Sequence, residues 1–165
     1  MKNNALIEDK KRRVNGKLPF FQVAFRRAQA TSFPPFKIFH LVMLKLFRSK
    51  NNCEFPAGLK VGPGLFLGHP YCITINPEAV IGSHCNIHKG VTIGQENRGI
   101  RKGVPTIGNN VWIGVNATVV GKITIGDDVM IAPNSFVNCD VPSHSIVFGN
   151  PCVIKHRDNA TEGYL

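Results

Sequence analysis

Six histidines and five cysteines are the side chains of this 165-residue chain with the most chemistry to offer near neutral pH. The cysteines (Cys53, Cys72, Cys85, Cys139, Cys152) are odd in number and form no CxxC pair, which argues against a disulfide framework and a four-cysteine zinc site. Reduced thiols are the simpler reading. A neutral imidazole, with an ordinary pKa of about 6.5, can take the proton of an alcohol during attack. His40 lies beside Leu41 and Val42 in a stretch of helical spacing and reads as a packing or capping residue. His84 and His88 stand four apart near turns and read as exposed or packed residues, while His144 and His156 read as surface residues near the C-terminal end. His69 stays open between a general base and a buried structural histidine.

The elements that would position such a residue follow from a six-residue period. Aliphatic residues recur at Ile75, Ile81, Ile87 and Ile93, then at Ile107, Ile113, Val119, Ile125, Ile131 and Val137. Gly or Ala often comes next, as at Gly82, Gly94, Gly108, Gly114, Gly126 and Ala132. This period suits neither a helix nor an alternating strand. It predicts a solenoid in which each hexad is a short strand and a turn, three hexads make a triangular coil, and the aliphatic residue stacks inward on its counterpart. Upstream, Phe55, Val61, Leu67 and Ile73 keep the period in another phase, which places about two extra residues between Ile73 and Ile81. Between Ile93 and Ile107 the interval is fourteen residues, so the polar, basic stretch 95–106 (QENRGIRKGVPT) is expected to leave the coil as a loop.

The first third reads as helix, around residues 19–30 and 35–49, with Phe36, Phe39, Met43 and Leu46 at helical spacing and Pro34 and Pro35 marking the turn between. These helices are expected to cap the open end of the solenoid, which otherwise exposes unpaired edges and an apolar cross-section. The expected organisation is a basic helical segment 1–52, a β-solenoid 53–154 and a tail 155–165. Residues 1–50 hold twelve Lys and Arg against two acids, and the rest of the chain holds eight of each, so the net charge of +10 resides in the first part. Such a segment suits an anionic membrane surface or an acidic partner. Nucleic acid is disfavoured because no aromatic stacking platforms are interleaved with the charges. The longest apolar stretch, residues 38–47, is interrupted by His40 and Lys45 and is too short to span a bilayer. Without an export signal the expectation is a cytoplasmic protein, peripheral at most to the inner face of the membrane.

Residues 54–154 resemble the serine acetyltransferase branch of the bacterial hexapeptide-repeat acyltransferases. The resemblance rests on GLFLGHPYCITINPEAVIG (64–82), NIHKGVTIG (86–94), VPTIGNNVWIG (104–114) and DVPSHSIVFGNPCVI (140–154). It implies a mainly β fold, a left-handed parallel β-helix with an N-terminal helical cap and one extruded loop. It also implies a homotrimer with active sites in the subunit grooves, acetyl-coenzyme A as acyl donor and no metal. Carried over by position, the resemblance makes His69 the general base, Glu54 its supporting carboxylate where the family has Asp, and the Gln95 backbone N–H the oxyanion donor. Coenzyme A would lie along Gly114, Ala132, Asn150 and Pro151, with Lys155, Arg157 and Lys122 offered to its phosphates.

Two departures from the family bear on the acceptor. Gly68 stands where the family has Asp before its base, and Gly103-Val104 stands where the family has Arg-His before proline. A charged amino acid left without those partners binds poorly. The expected acceptor is therefore a neutral hydroxyl, as on a sugar of surface polysaccharide biosynthesis. The alternatives are free serine, in cysteine biosynthesis, and a non-catalytic trimeric scaffold. A zinc enzyme of γ-carbonic anhydrase type needs a five-residue histidine spacing that His84 and His88 do not show. Trp112, beside the repeat, reads as a stacking residue for adenine or sugar, or as a packed outward residue.

Overall fold

A computed structural model describes residues 4–165; residues 1–3 of the basic segment lie outside the described residues. Three helices lead the chain: α1 (Asn4–Lys11), α2 (Phe20–Ala30) and α3 (Pro34–Lys50). The short strands that follow form three sheets, the three sides of a prism. One side holds β1 (Lys60–Val61), β4 (Val80–Ile81), β7 (Thr106–Ile107) and β10 (Thr124–Ile125). The second holds β2 (Phe66–Gly68), β5 (Asn86–His88), β8 (Trp112–Ile113), β11 (Val129–Ile131), β13 (Ser145–Phe148) and β14 (Val153–His156). The third holds β3 (Thr74–Ile75), β6 (Thr92–Gly94), β9 (Thr118–Val120) and β12 (Phe136–Val137). Every pairing is parallel except β13 with β14, a closing hairpin that the hexad pattern did not announce. The architecture is a left-handed parallel β-helix.

The predicted hexad residues are the core. Ile75, Ile81, Ile87, Ile93, Ile107, Ile113, Val119, Ile125, Ile131 and Val137 are all buried and stack coil on coil. A regular coil advances eighteen residues, as from Thr106 to Thr124. The loop raises this to twenty-six from Thr92 to Thr118. The two extra residues upstream sit elsewhere than the period implied. Leu67 pairs with Ile87 twenty residues on, whereas Ile75 pairs with Ile93 eighteen on, so the insertion lies between Leu67 and Ile75, at the corner that carries His69. Ile73 is buried too, at the position of a small or branched residue rather than of the strand aliphatic, which is why the phase was misjudged.

Helices α2 and α3 occupy the expected stretches, with Pro34 inside the first turn of α3 rather than in the turn before it, a position where its missing N–H costs nothing. Their role at the open end is visible in hydrogen bonds. The unpaired carbonyls of the first coil accept from side chains of α2 and of the turn after α1: Leu59 from Gln29, Val61 and Gly62 from Arg26, Gly64 from Arg12, Leu65 from Gln22 and Leu67 from Arg13. Asp9 of α1 accepts from Arg26 at 2.8 and 3.1 Å, from Gln22 at 2.9 Å and from the Leu65 N–H at 2.8 Å, with the ion pair buried. Phe21 and Phe25 close the apolar cross-section on Phe55, with ring centroids 5.6 and 4.9 Å apart.

At the other end of the chain, the tail is tied back to the coil by Asp128. Its carboxylate accepts from Thr161 Oγ1 at 2.6 Å and from the amides of Thr161 and Ala160, and it lies 2.9 Å from His144 Nδ1. Burial alone would raise this carboxyl, but the hydrogen bonds outweigh burial and hold its pKa at about 2. Docking of the tail is therefore complete above the ordinary carboxyl value of 3.8 and is lost as pH falls toward 2. At neutral pH, Asp128→Ala is expected to ease tail opening by about 2 kcal/mol. Hydrogen exchange at Ala160 and Thr161 reads this directly, and unchanged protection would contradict it.

Candidate active site

The corner between the second and third sides of the prism is built for close approach. In successive coils it carries Cys72, Gly90, Asn116 and Asn134 in register, all at positive φ, and His69, also at positive φ, stands in the two-residue enlargement just before Cys72. Backbone bonds knit it coil to coil, from Gly90 N–H to Tyr71 O, from Asn116 to Lys89 and from Asn134 to Val115. Asn and Gly suit this left-handed conformation, and His is among the side chains tolerated there. Gly114 follows β8, Ala132 follows β11 and Asn150 lies beyond β13, so three of the sequence-assigned coenzyme residues share one edge of the prism with His69. Pro151 follows Asn150 through a cis peptide bond, and Lys155 and Arg157 are exposed on β14 and just after it.

His69 itself is exposed, with φ +50°, and its ring makes no hydrogen bond among the described residues. The corner is anchored from below. Asn51 accepts from the Cys72 N–H through its carbonyl and donates through its side chain to Pro70 O, and Glu54 pairs by backbone with Ile73 and Ile75. The Glu54 carboxylate, however, is exposed in a cavity with Arg48, Ser49 and Pro77 and makes no hydrogen bond to His69. Gln95 lies on a different edge, at the exit from β6. Its side chain meets Asn76 and Asn97, and its backbone N–H donates to nothing among the described residues. One chain thus places His69 on the edge that carries Gly114, Ala132 and Asn150 but leaves the Gln95 amide on another corner. Among the described residues no three metal-binding side chains converge.

His88, read from the sequence as exposed or packed, is half-buried on β5 against the neighbouring coils of its own chain. It pairs in register with Gly68, and a β-carbon built on Gly68 would lie 2.4 Å from His88 Nδ1 and 2.6 Å from Cε1, so the imidazole fills the space that a side chain at 68 would need. Trp112 packs on its other side at 4.8 Å between ring centres. Burial, with the neighbouring His69 second, holds the His88 pKa below its usual value of 6.5. The signal was the twenty-residue interval between Gly68 and His88, which is one turn of the enlarged coil. The depressed pKa favours the neutral ring in the folded state, so its contribution to stability is present above about pH 6.5 and lost as pH falls below it. Urea midpoints from pH 7.5 to 5 are expected to drop more for wild type than for His88→Leu.

The prism and its corner column define a hexapeptide-repeat transferase. Residues 105–139 match the family model described as bacterial transferase hexapeptide (six repeats). A Helicobacter pylori protein named serine acetyltransferase is 34% identical over 128 residues, covering 78% of this chain and 75% of that one. A Synechococcus elongatus protein of the same name is 38% identical over 112 residues, covering 68% of this chain, and the chain spans only 46% of that relative. Among solved structures, Neisseria gonorrhoeae serine acetyltransferase superposes with a TM-score of 0.77 at 26% identity over 94% of this chain and 66% of its own. The chain belongs to the serine acetyltransferase family of hexapeptide-repeat acyltransferases. These relatives carry the name of serine enzymes, so the expected preference for a polysaccharide sugar over serine finds no support in them.

Proposed function

We propose that the chain moves an acetyl group from acetyl-coenzyme A to the hydroxyl of L-serine by direct attack, with His69 as general base. The observation that carries this reading is an exposed imidazole without a hydrogen-bond partner, heading a corner column of small and left-handed residues, in a member of the serine acetyltransferase family. The coenzyme would lie down that column past Gly114, Ala132, Asn150 and Pro151, with Lys155 and Arg157 near its phosphates. Glu54, whose backbone abuts the His69 corner, is the proposed support for the base. The Gln95 amide is the proposed oxyanion donor, and its place on another edge supports a homotrimer in which a neighbouring chain completes the site. Mixed trimers of His69→Ala and Gln95→Pro chains test that arrangement. They recover activity if the two groups act across an interface and stay inactive if they act within one chain.

A neutral hydroxyl acceptor, such as a sugar, is the second reading, favoured by the imidazole of His88 over Gly68 in place of a carboxylate. Thiol release from acetyl-coenzyme A, with L-serine and neutral sugars offered separately, decides between them. Turnover of serine alone supports the first reading, turnover of sugars alone the second, and neither overturns both. A cytoplasmic site with contact to anionic lipid belongs to the same proposal. Residues 17–50 carry seven cations and no carboxylate, and α3 exposes Phe36, Phe39, Val42 and Leu46. Among the described residues no helix is long and apolar enough to cross a membrane. Flotation with phosphatidylglycerol vesicles tests the contact, and equal partition with neutral vesicles contradicts it.

A further inference from the structure

Two thiols meet in the last coil. Cys139 Sγ and Cys152 Sγ stand 3.7 Å apart, although thirteen residues separate them along the chain. Each is placed by its own anchored turn. Cys139 follows β12, where the Asp140 carboxylate accepts from the Thr124 N–H at 2.7 Å and the Val141 N–H donates to Thr124 O. Cys152 lies just past Pro151 in the turn between β13 and β14, where the Gly149 N–H donates to Ser135 Oγ at 3.2 Å and Gly149 O accepts from the Phe136 N–H. Both cysteines are partly exposed, so small reagents can reach them. The other three thiols are placed differently. Cys53 and Cys85 are buried and bond to backbone carbonyls, whereas Cys72 is exposed on the His69 corner. A disulfide needs its sulfurs about 2.05 Å apart, a closure that side-chain rotation supplies when two fixed turns already hold the thiols in contact. Burial, with the Cys152 thiol second and Asp140 adding to both, raises the Cys139 thiol above its usual value of 9.0, and Arg101 of the extruded loop opposes them. Cys139 therefore rests as a thiol at neutral pH.

We infer that Cys139 and Cys152 form a reversible thiol–disulfide site that hydrogen peroxide oxidises, and that the bridge clamps the closing hairpin to the third side of the prism. One sulfur, as thiolate, attacks a peroxide oxygen. The O–O bond breaks, the departing hydroxide takes up a proton as water, and a sulfenic acid remains. The second thiol then attacks that sulfur, the S–S bond forms, the S–O bond breaks, and the oxygen leaves as a second water with the thiol proton. The two thiols together lose two electrons, which the peroxide gains. The consequence for the fold follows from the topology. Strand β14 pairs only with β13, at the outer edge of the second sheet, and the turn that leads into it carries Asn150 and Pro151. The bridge joins the start of that strand to the turn after β12 on another side of the prism, so the hairpin opens less readily when it is oxidised.

The experiment treats the full chain with hydrogen peroxide and afterwards with dithiothreitol. Intact mass is expected to fall by two hydrogens on oxidation, and digestion without reductant to release one linked pair of peptides containing residues 139 and 152. Dithiothreitol restores both thiols. Hydrogen exchange at the β14 amides is expected to slow at least about tenfold in the oxidised protein. Cys139→Ser and Cys152→Ser each abolish the bridge and the slowing, whereas Cys72→Ser keeps both. A bridge that includes Cys72, a covalent dimer between chains, oxidation of one thiol to the sulfinic acid without a bridge, or no reaction overturns the site. A bridge that leaves β14 exchange unchanged overturns the clamp. None of these readouts requires acetyl-coenzyme A or turnover, so the inference stands or falls apart from the acetyl-transfer reading.

Discussion

Replacing His69 with alanine is expected to lower kcat for acetyl transfer about 10²–10⁴-fold while shifting stability by less than about 0.5 kcal/mol. A general base takes the acceptor proton as the carbon–oxygen bond forms, so under the proposed mechanism its loss would be felt in the transition state and appear in kcat more than in the KM for acetyl-coenzyme A. The fold is spared because the imidazole is exposed and bonds to nothing, while the corner is held by backbone bonds from Asn51 and Gly90. His69→Asn keeps a residue that tolerates φ +50° and is expected to lose as much activity. Stopped assays of thiol release beside urea unfolding separate the two quantities. A variant that loses stability in proportion to activity would make His69 a structural residue.

Arg26→Ala is expected to cost about 3–5 kcal/mol of stability. The guanidinium joins Asp9, Val61 O and Gly62 O, and removing it strands a buried carboxylate and two first-coil carbonyls together. A buried pair exchanged whole for apolar residues is often neutral. Here the carbonyls and the Leu65 N–H would still lack partners, so Asp9→Leu with Arg26→Met is expected to recover only part of the loss. Urea unfolding followed by far-UV circular dichroism measures both variants. A loss below about 1 kcal/mol, the range of surface pairs, would mean that the helices do not seal the coil.

What the sequence made legible follows from what repeats. Inward aliphatics at Ile81, Ile107 and Ile125 are set by one residue type at one spacing, and the extruded loop is the same period interrupted. The coil with two extra residues is harder to read, because Ile73 and Ile75 are both buried and either can serve as the phase mark. Helix α1 escaped notice for a different reason. Its eight residues bury only Asp9 and have no apolar face of their own, so the segment is held by a tertiary ion pair rather than by local propensity. The reversal into β14 likewise depends on tertiary pairing.

The candidate site divides the same way. Gly114, Ala132 and Asn150 read as corners from composition, but their alignment with His69 depends on coil register. His88 read as an exposed or packed residue because its distance from His84 was weighed, when the informative neighbour was Gly68, one coil away. Glu54 lines a separate cavity in this chain, a placement that an ungapped spacing to His69 could not reveal.

The most direct test of the central claim is product identification with carbon-13 acetyl-coenzyme A and L-serine, read by NMR for wild type and His69→Ala side by side. The expected result is an acetyl ester on the serine oxygen that accumulates with wild type and falls by at least about a hundredfold with the variant. Equal ester formation by both proteins, or no ester with serine or any neutral hydroxyl compound, would contradict the account.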